Sequence, residues 1–591
     1  MTQYRHYGTN DEQDATVLDL AFRGVDARRD PRQLEPGLVS EAINKNFILG
    51  SADKRLGFRT QTWGSEFGVD FPIDFTFDFY AMGFQTVWGG EVFSDPNRQE
   101  GVLIPMSTLV RRLRANSVPE SIGLPDDVTL DADVSLTQAF DRVLMWRGED
   151  KTPLVWNPQE DFTDGLGDFT EVTMSTVRGS DPDNTFGAGD QVIPPSVDGT
   201  LHANRIWVIV GKDQLIASDI LDYTRFNEIN QRFRINAGSD DAIVKTVSWA
   251  DTELVVFKDQ SIFILKSAFG DLGDIFRTTL TEEFGLVGKD AWAMVGRDIW
   301  FMSSGGVRSI AYTDQNELQA IAQPLSGPIQ PIIERINWSY KSKIQCIAHD
   351  NKFYAAVPLD QSQSNNAILI YDVVNQAWAG YWTASFLDVK RFVRTDYAGK
   401  RRLFIVNGND TLVQKAKGAF MLVGDGFTDD LYSDEYEIVD QLTTRGYAAG
   451  TIQDKRFQTT MFVLKTWNPN YTVKAISDGA NEENILRSAI TKDRAKYYTF
   501  GKADYDESNV NDDHGDPYRE DYSVLPAVGD GPDPGANGIN PNLRQRTQET
   551  ARINRFGEWV QFQIATTQGH ANLVACGIGV QAGRRVRDTK S

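Results

Sequence analysis

The sequence predicts a mainly β chain: a β-propeller of about six blades, with room for a seventh, preceded by an N-terminal arm and followed by a C-terminal antiparallel β-sandwich. Three observations carry this expectation. Aromatic residues make up 11% of 591 residues, with 33 Phe, 13 Trp and 49 Gly, a mixture that favours strands and turns over helix bundles. Hairpins recur along the middle of the chain, each pairing two apolar runs around Gly, Asn or Asp. Their turns recur roughly every 46–48 residues from Gly211 to Asp259, Gly305 and Asn351, and that is the period of a propeller blade.

The individual units follow in order. DRVLMWRGEDKTPLVWN (141–157) opens the series, and ANRIWVIVGKDQLIA (203–217) turns at Gly211-Lys212-Asp213. DTELVVFKDQSIFIL (251–265) turns at Lys258-Asp259-Gln260, and RDIWFMSSGGVRSI (297–310) at Ser304-Gly305-Gly306. QCIAHDNKFYAAV turns at Asp350-Asn351, with 365–382 as the outer hairpin of the same blade, and RRLFIVNGNDTLVQ turns at Gly408-Asn409. A further blade is expected within 60–120. FPIDFTFDFY (71–80) alternates strictly and is expected to bury one sheet face. The best helix signal is GPIQPIIERI (327–336), which carries an isoleucine stripe.

The expected domains are an arm or docking region over 1–60, the propeller with loop insertions over 61–440, and the sandwich over 441–591. Within the last, 504–542 is acidic and rich in Gly and Pro, too polar to bury a core of its own and expected to order only against a partner.

Net charge is −22, which argues against a protein that wraps nucleic acid, because phosphate affinity comes from Lys and Arg. Two cysteines, Cys346 and Cys576, do not make a disulfide framework or a cysteine-built zinc site. The start of the chain has no signal-peptide core, and no run of about 18 apolar residues suggests a membrane span. No catalytic, cofactor or metal site is expected. GxSxG, GxxxxGK[ST], HExxH and GxGxxG do not occur. DPDNTFGAGD (181–190) is calcium-like, but its Gly187 is one place late and Val192 stands where Glu is needed. Trp378 and Trp382 are read as core ahead of a sugar shelf, and His349 as a turn neighbour ahead of a general base.

FRGVDARRDPRQLEPGLVSEAINKNFILGSADKRLGFRT (22–60) resembles the opening of tail nozzle and tail hub proteins of double-stranded DNA bacteriophages. The positions that carry the resemblance are Gly24-Val25-Asp26, Pro36-Gly37, Ala42, Asn44, Asn46, Arg55 and Gly57. The stretches 282–310, 352–382 and the closing RINRFGEWVQFQIATTQGHANLVACGIGVQAGRR are similar to the same family, while 71–80 and 504–542 have no counterpart in it.

The resemblance implies a virion structural protein of a short-tailed phage, made in the bacterial cytoplasm. It implies a ring of identical subunits, commonly six, below the portal and adaptor and beside tail fibre or needle proteins. Such a nozzle retains packaged duplex DNA and conducts it during ejection without gripping it, and the acidic charge suits a conduit that repels phosphate within roughly 10 Å. Arg23, Arg28, Arg29 and Arg32 are the expected docking strip to an acidic neighbour. Two other readings stay open: a tail hub whose loops bind a host receptor or glycan, and a propeller polysaccharide hydrolase.

Overall fold

A computed structural model describes residues 5–7, 14–60, 90–94, 100–114, 120–158, 167–173, 187–249, 252–268, 272–312, 318–320, 323–397, 400–408, 410–411, 413, 416–431, 434–448, 455–478, 481–488 and 545–582. The strand expected at 71–80 and the acidic loop at 504–542 lie outside these residues, as does most of the calcium-like run.

The protein is a β-propeller joined to a curled antiparallel sheet. Short apolar strands alternate with tight turns, so each unit forms an antiparallel meander in chain order. Six blades are sheets of their own: 91–123, 135–171, 199–234, 243–281, 292–320, and 389–423 with its extensions. One more four-stranded meander, 345–383, stands between the fifth and the last of these, and its outer strand continues into the curled sheet. We number the seven in chain order as blades 1 to 7.

The ring closes. First strands of successive blades lie side by side from blade 1 to blade 4 and from blade 5 through blade 7 back to blade 1. Between blades 4 and 5 the Trp249 indole donates to the carbonyl of Arg297 at 3.2 Å, and Phe257 packs on Phe301. The apolar core is correspondingly a set of inter-blade layers. Phe93 and Leu103 pack with Val143 and Trp156 between blades 1 and 2, Trp146 with Ile206 between 2 and 3, and Trp207 with Leu254 between 3 and 4. Val102 and Ile104 pack with Phe404 and Phe420 between blades 1 and 7. Each blade buries both faces, which is why its second strand reads as a continuous apolar run, as in RIWVIV (Arg205–Val210).

One turn used to measure the period is out of phase. Gly211, Asp259 and Gly305 each join the second and third strands of a blade, but Asn351 joins the first strand, Gln345–His349, to the second, Lys352–Val357. The corresponding turn of blade 6 is 358–366, a longer loop whose turn residues, Pro358, Asp360, Asn365 and Asn366, are spread over nine positions. The blade expected within 60–120 is 91–123. Where a helix was expected, Gly327–Ile329 forms one 3-10 turn and Gln330–Ile333 one α-helical turn.

The N-terminal arm is woven into the body. Asp14–Asp19 pairs with Cys576–Gln581 at the edge of the curled sheet, and Leu38–Ile43 pairs with Asp440–Thr444. Phe58–Thr60 supplies the strand outside Phe420–Val423 of blade 7. A segment from the start of the chain therefore completes the last blade. Close approach fixes this path: at Gly57 a Cβ would stand 1.8 Å from the Thr428 carbonyl oxygen, so the backbones meet only because the side chain is missing.

Three buried ion pairs lock the arm. Arg55, fully buried, makes two 2.7 Å hydrogen bonds to the Asp429 carboxylate and a third at 2.9 Å to Asn44 Oδ1. Arg445 clamps Asp19, which also accepts from the Tyr447 hydroxyl at 2.9 Å. Lys45 pairs with Asp440.

The C-terminal unit is built on two strands of 23 residues, Lys455–Ser477 and Val560–Ala582. At about 3.3 Å per residue each would reach roughly 75 Å if straight. The pair curls instead, slipping register between Trp467 and Asn470, where Pro469 cannot donate to the ladder. Its buried side carries Phe457, Phe462 and Val473 against Phe562, Ile564 and Ile578.

Candidate functional site

The first strand of each blade faces the propeller axis, and these strands bring together residues distant in sequence. Glu91, Asp133, Asp198, Lys245, Lys289, Asp290, Gln345, Lys390 and Arg391 stand within three residues of the start of a first strand. Blade 7 meets blade 5 in an ion pair of Arg391 with Asp290, and blade 2 in a pair of Lys390 with Asp133. Arg391 also donates to Gln345 Oε1 of blade 6 at 3.0 Å. Lys245 holds Asp198 at 2.5 Å between blades 4 and 3. The ammonium of Lys289 crosses from blade 5 to Ser135 Oγ of blade 2 at 2.7 Å.

Side chains from opposite walls thus meet at hydrogen-bond distance, and the axis is closed at this level. A duplex, whose major groove alone is about 12 Å wide, does not fit. Beyond the layer lies a cavity of about 370 Å³ lined by Glu91, Trp292, Met294, Ile347, Phe392 and Arg394.

Enclosure sets the protonation of the layer. Burial alone would raise Asp290, but Arg391, Lys289 and Lys245 together hold it well below its ordinary 3.8. Burial also pushes Lys289 down and the Cys346 thiol far up. Glu91 goes the other way: burial raises it from 4.5 to about 7, against the pull of Arg391 and with Asp290 adding to the rise. Glu91 keeps partial exposure, but the protein around it strips most of its water, and that is what disfavours its charge.

A stability consequence follows from Glu91. Its proton is held more tightly folded than unfolded, so its contribution is full below pH 4.5 and is lost as pH rises to about 7. The expected loss is at most about 3 kcal/mol. Glu91→Gln should flatten this part of the curve and be more stable than wild type at pH 8, as chemical denaturation at pH 5, 6, 7 and 8 would show. Parallel curves for the two proteins would refute it.

The four expected docking arginines lie on the surface, and three pair with this chain's own carboxylates. Arg23 pairs with Glu35, Arg29 with Asp26 at 3.3 Å, and Arg32 with Asp30 at 2.8 Å and Glu558 at 3.4 Å. Arg28 contributes its backbone N–H, to Asp26 Oδ1 at 3.1 Å and to the Pro328 carbonyl at 3.1 Å. Ion pairs this exposed hold little energy and remain open to exchange with a partner.

Trp378 and Trp382 are core residues, buried and donating to the carbonyls of Leu325 and Lys45 at 3.0 Å each. His349 sits half-buried at a tight turn, its pKa lowered by burial. No group of three His, Cys, Asp or Glu placed to hold a metal occurs among the described residues. No helix of these residues is long and apolar enough to cross a membrane.

The axial layer was not anticipated from the sequence. Its signal was present nonetheless: a charged residue opens an apolar strand at the blade period, as Lys245, Asp290 and Arg391 do. Nothing in the residue types says that these openings share an axis until the ring is closed.

No protein-family model matches the chain, and no curated protein matches it. Among solved structures the chain is similar to a catalytically inactive variant of virginiamycin B lyase from Staphylococcus aureus, with 14% identity, TM-score 0.36, and coverage of 58% of this chain and 96% of that one. It is also similar to the β-propeller domain of Cps50 (Swd1) from Myceliophteria thermophila, with 10% identity, TM-score 0.34, and coverage of 56% and 96%. A third is the computationally designed Ika8 protein, with 11% identity, TM-score 0.32, and coverage of 57% and 83%. Likenesses this low carry no activity to the present chain.

Proposed function

We propose that the chain is a virion structural protein, a subunit of the tail nozzle ring of a short-tailed phage that retains packaged DNA and conducts it at ejection. The observation that carries this reading is the interweaving of the arm, because the residues of the nozzle-like signature are the ones that tie the body together. Gly57 admits the Thr428 carbonyl, Asn44 receives Arg55, and Arg55 anchors Asp429. Such bracing favours a rigid block in an assembly under load, and a propeller closed on its own axis is compatible with a ring in which DNA runs between subunits. A net charge of −22 per chain suits walls that must not grip phosphate.

The test is reconstitution. Purified chain mixed with the portal and adaptor proteins of its own particle should sediment with them as a ring. A chain that remains free at every ratio, and is missing from isolated tails, would remove the proposal.

A second reading, a tail hub that binds a host glycan, is favoured by one feature. A cleft of about 660 Å³ between blades 6 and 7 and the arm is lined by Ser362, Ser385, Thr411, Asp410 and Tyr436, hydroxyls and an aromatic ring of the kind sugars pack against. Binding of neutral surface oligosaccharides by the isolated chain, lost in Tyr436→Ala, would support it over the nozzle.

A further inference from the structure

The chamber beyond the axial layer is a blind well. Its floor is the meeting of Arg391 with Asp290 and of Lys289 with Ser135, so whatever enters must leave by the same mouth. Its walls are largely apolar. Trp292 and Met294 alternate along the first strand of blade 5, Trp292–Val295, and so share one side of it. Phe392 lines the well from blade 7 and Ile347 from blade 6. Met294 keeps 38% of its surface exposed, while Trp292, Ile347 and Phe392 are each half-buried.

The floor carries charge that the chain does not balance. Asp133, Asp198 and Asp290 meet Lys245, Lys289, Lys390 and Arg391, which leaves one positive charge in excess while Glu91 is protonated. Arg391 spends its terminal nitrogens on Asp290, Gln345 and the Val134 carbonyl. Its buried Nε–H has no acceptor among the described residues, and a buried donor left unpaired costs free energy. The Cys346 thiol adds no charge, since burial raises its pKa far above neutrality. At the mouth Arg394 is exposed and gives one N–H to the Ala348 carbonyl at 3.1 Å. Arg401 stands opposite Asp396 on the paired strands of blade 7, so the two offset each other. The well is therefore net positive between apolar walls.

Size and chemistry narrow the occupant. About 370 Å³ lies at the small end of ligand-holding pockets, which run from about 300 to 1,000 Å³. Aromatic rings and a thioether pack well against a further aromatic ring, and an unbalanced cationic floor selects a carboxylate. Glu91 sets the pH at which the floor is receptive: neutral, it donates to a carboxylate, and ionised, it repels one. Burial raises it to about 7, with Arg391 and Lys245 drawing it down and Asp290 and Asp198 pushing it up.

We propose that the axial well binds a small aromatic carboxylate, its ring among Trp292, Met294 and Phe392 and its charged end toward Glu91 and Arg391. The site belongs to the propeller alone and stands or falls apart from the nozzle reading.

Calorimetric titration of the full chain with benzoate tests it, with benzamide and inorganic phosphate as probes that lack the charge or the ring. Benzoate should saturate a single site per chain at pH 6, and the other two should bind at least about tenfold more weakly. Its affinity should fall between pH 6 and pH 8 as Glu91 gains its charge, whereas Glu91→Gln should keep the pH 6 affinity at pH 8. Met294→Asp, at an exposed wall position, should weaken benzoate by about tenfold or more with the melting temperature unchanged. Methyl NMR of the nine methionines locates the ligand: the Met294 signal, assigned through Met294→Leu, should move as benzoate is added. No saturable binding of benzoate at pH 6, equal binding of benzamide or phosphate, a wild-type affinity independent of pH, or a Met294 signal that does not move would each overturn the site.

Discussion

Arg55→Ala is expected to destabilise the protein by about 3–5 kcal/mol, the usual consequence of leaving one partner of a buried ion pair alone. The guanidinium is fully buried and makes bonds to Asp429, to Asn44 Oδ1 and, at 3.0 Å, to the Leu56 carbonyl. It also lies over the Phe58 ring, 4.3 Å from its centroid. Without it the Asp429 carboxylate keeps, among the described residues, only the Phe58 N–H, at 2.9 Å. Because this cluster seats Phe58–Thr60 against blade 7, the damage should spread to closure of the ring. Hydrogen exchange should show blade 7 and the arm losing protection together. The double variant Arg55→Met, Asp429→Leu should recover most of the loss, since no charge is then left buried. A single variant within about 0.5 kcal/mol of wild type would contradict the assigned role.

Arg391→Ala is the second large effect, again about 3–5 kcal/mol near neutral pH. It removes the guanidinium that meets Asp290 of blade 5 and Gln345 of blade 6. The pH dependence separates this role from lost packing. Asp290 is held below 3.8 in the wild type, so its contribution is present above pH 3.8 and fades as pH falls below it. Once Arg391 is gone, only Lys289 and Lys245 are left to offset burial, and that contribution shrinks. The gap between variant and wild type should therefore narrow as pH falls below about 4. A gap constant across pH would assign the effect to packing alone.

The propeller was legible because a blade repeats one simple pattern, and repetition reports a period even when individual turns are misassigned. Asn351 shows the limit: a hairpin signal marks two paired strands but not which two of the four, and the 358–366 loop that held the true phase spreads its Pro, Asp and Asn over nine positions. The arm was less legible. Its residues look like a polar surface stretch, and their partners lie hundreds of positions away: Arg55 with Asp429, Asp19 with Arg445, Lys45 with Asp440. Long-range ion pairing leaves no periodic trace. The arginines expected to dock a neighbour were visible as a cluster, but the Glu35 that Arg23 and Arg29 share is evident only from the structure. The axial layer was hidden for the same reason, since seven strand openings acquire a common meaning only around a closed ring.

The most direct test of the chain as a ring subunit is a cryo-EM reconstruction of the tail end of the particle at side-chain resolution. The account predicts several copies around a common axis, with DNA running between subunits and every propeller axis still closed by Arg391 and Lys289. A chain missing from the tail, or DNA passing through the propeller itself, would contradict it.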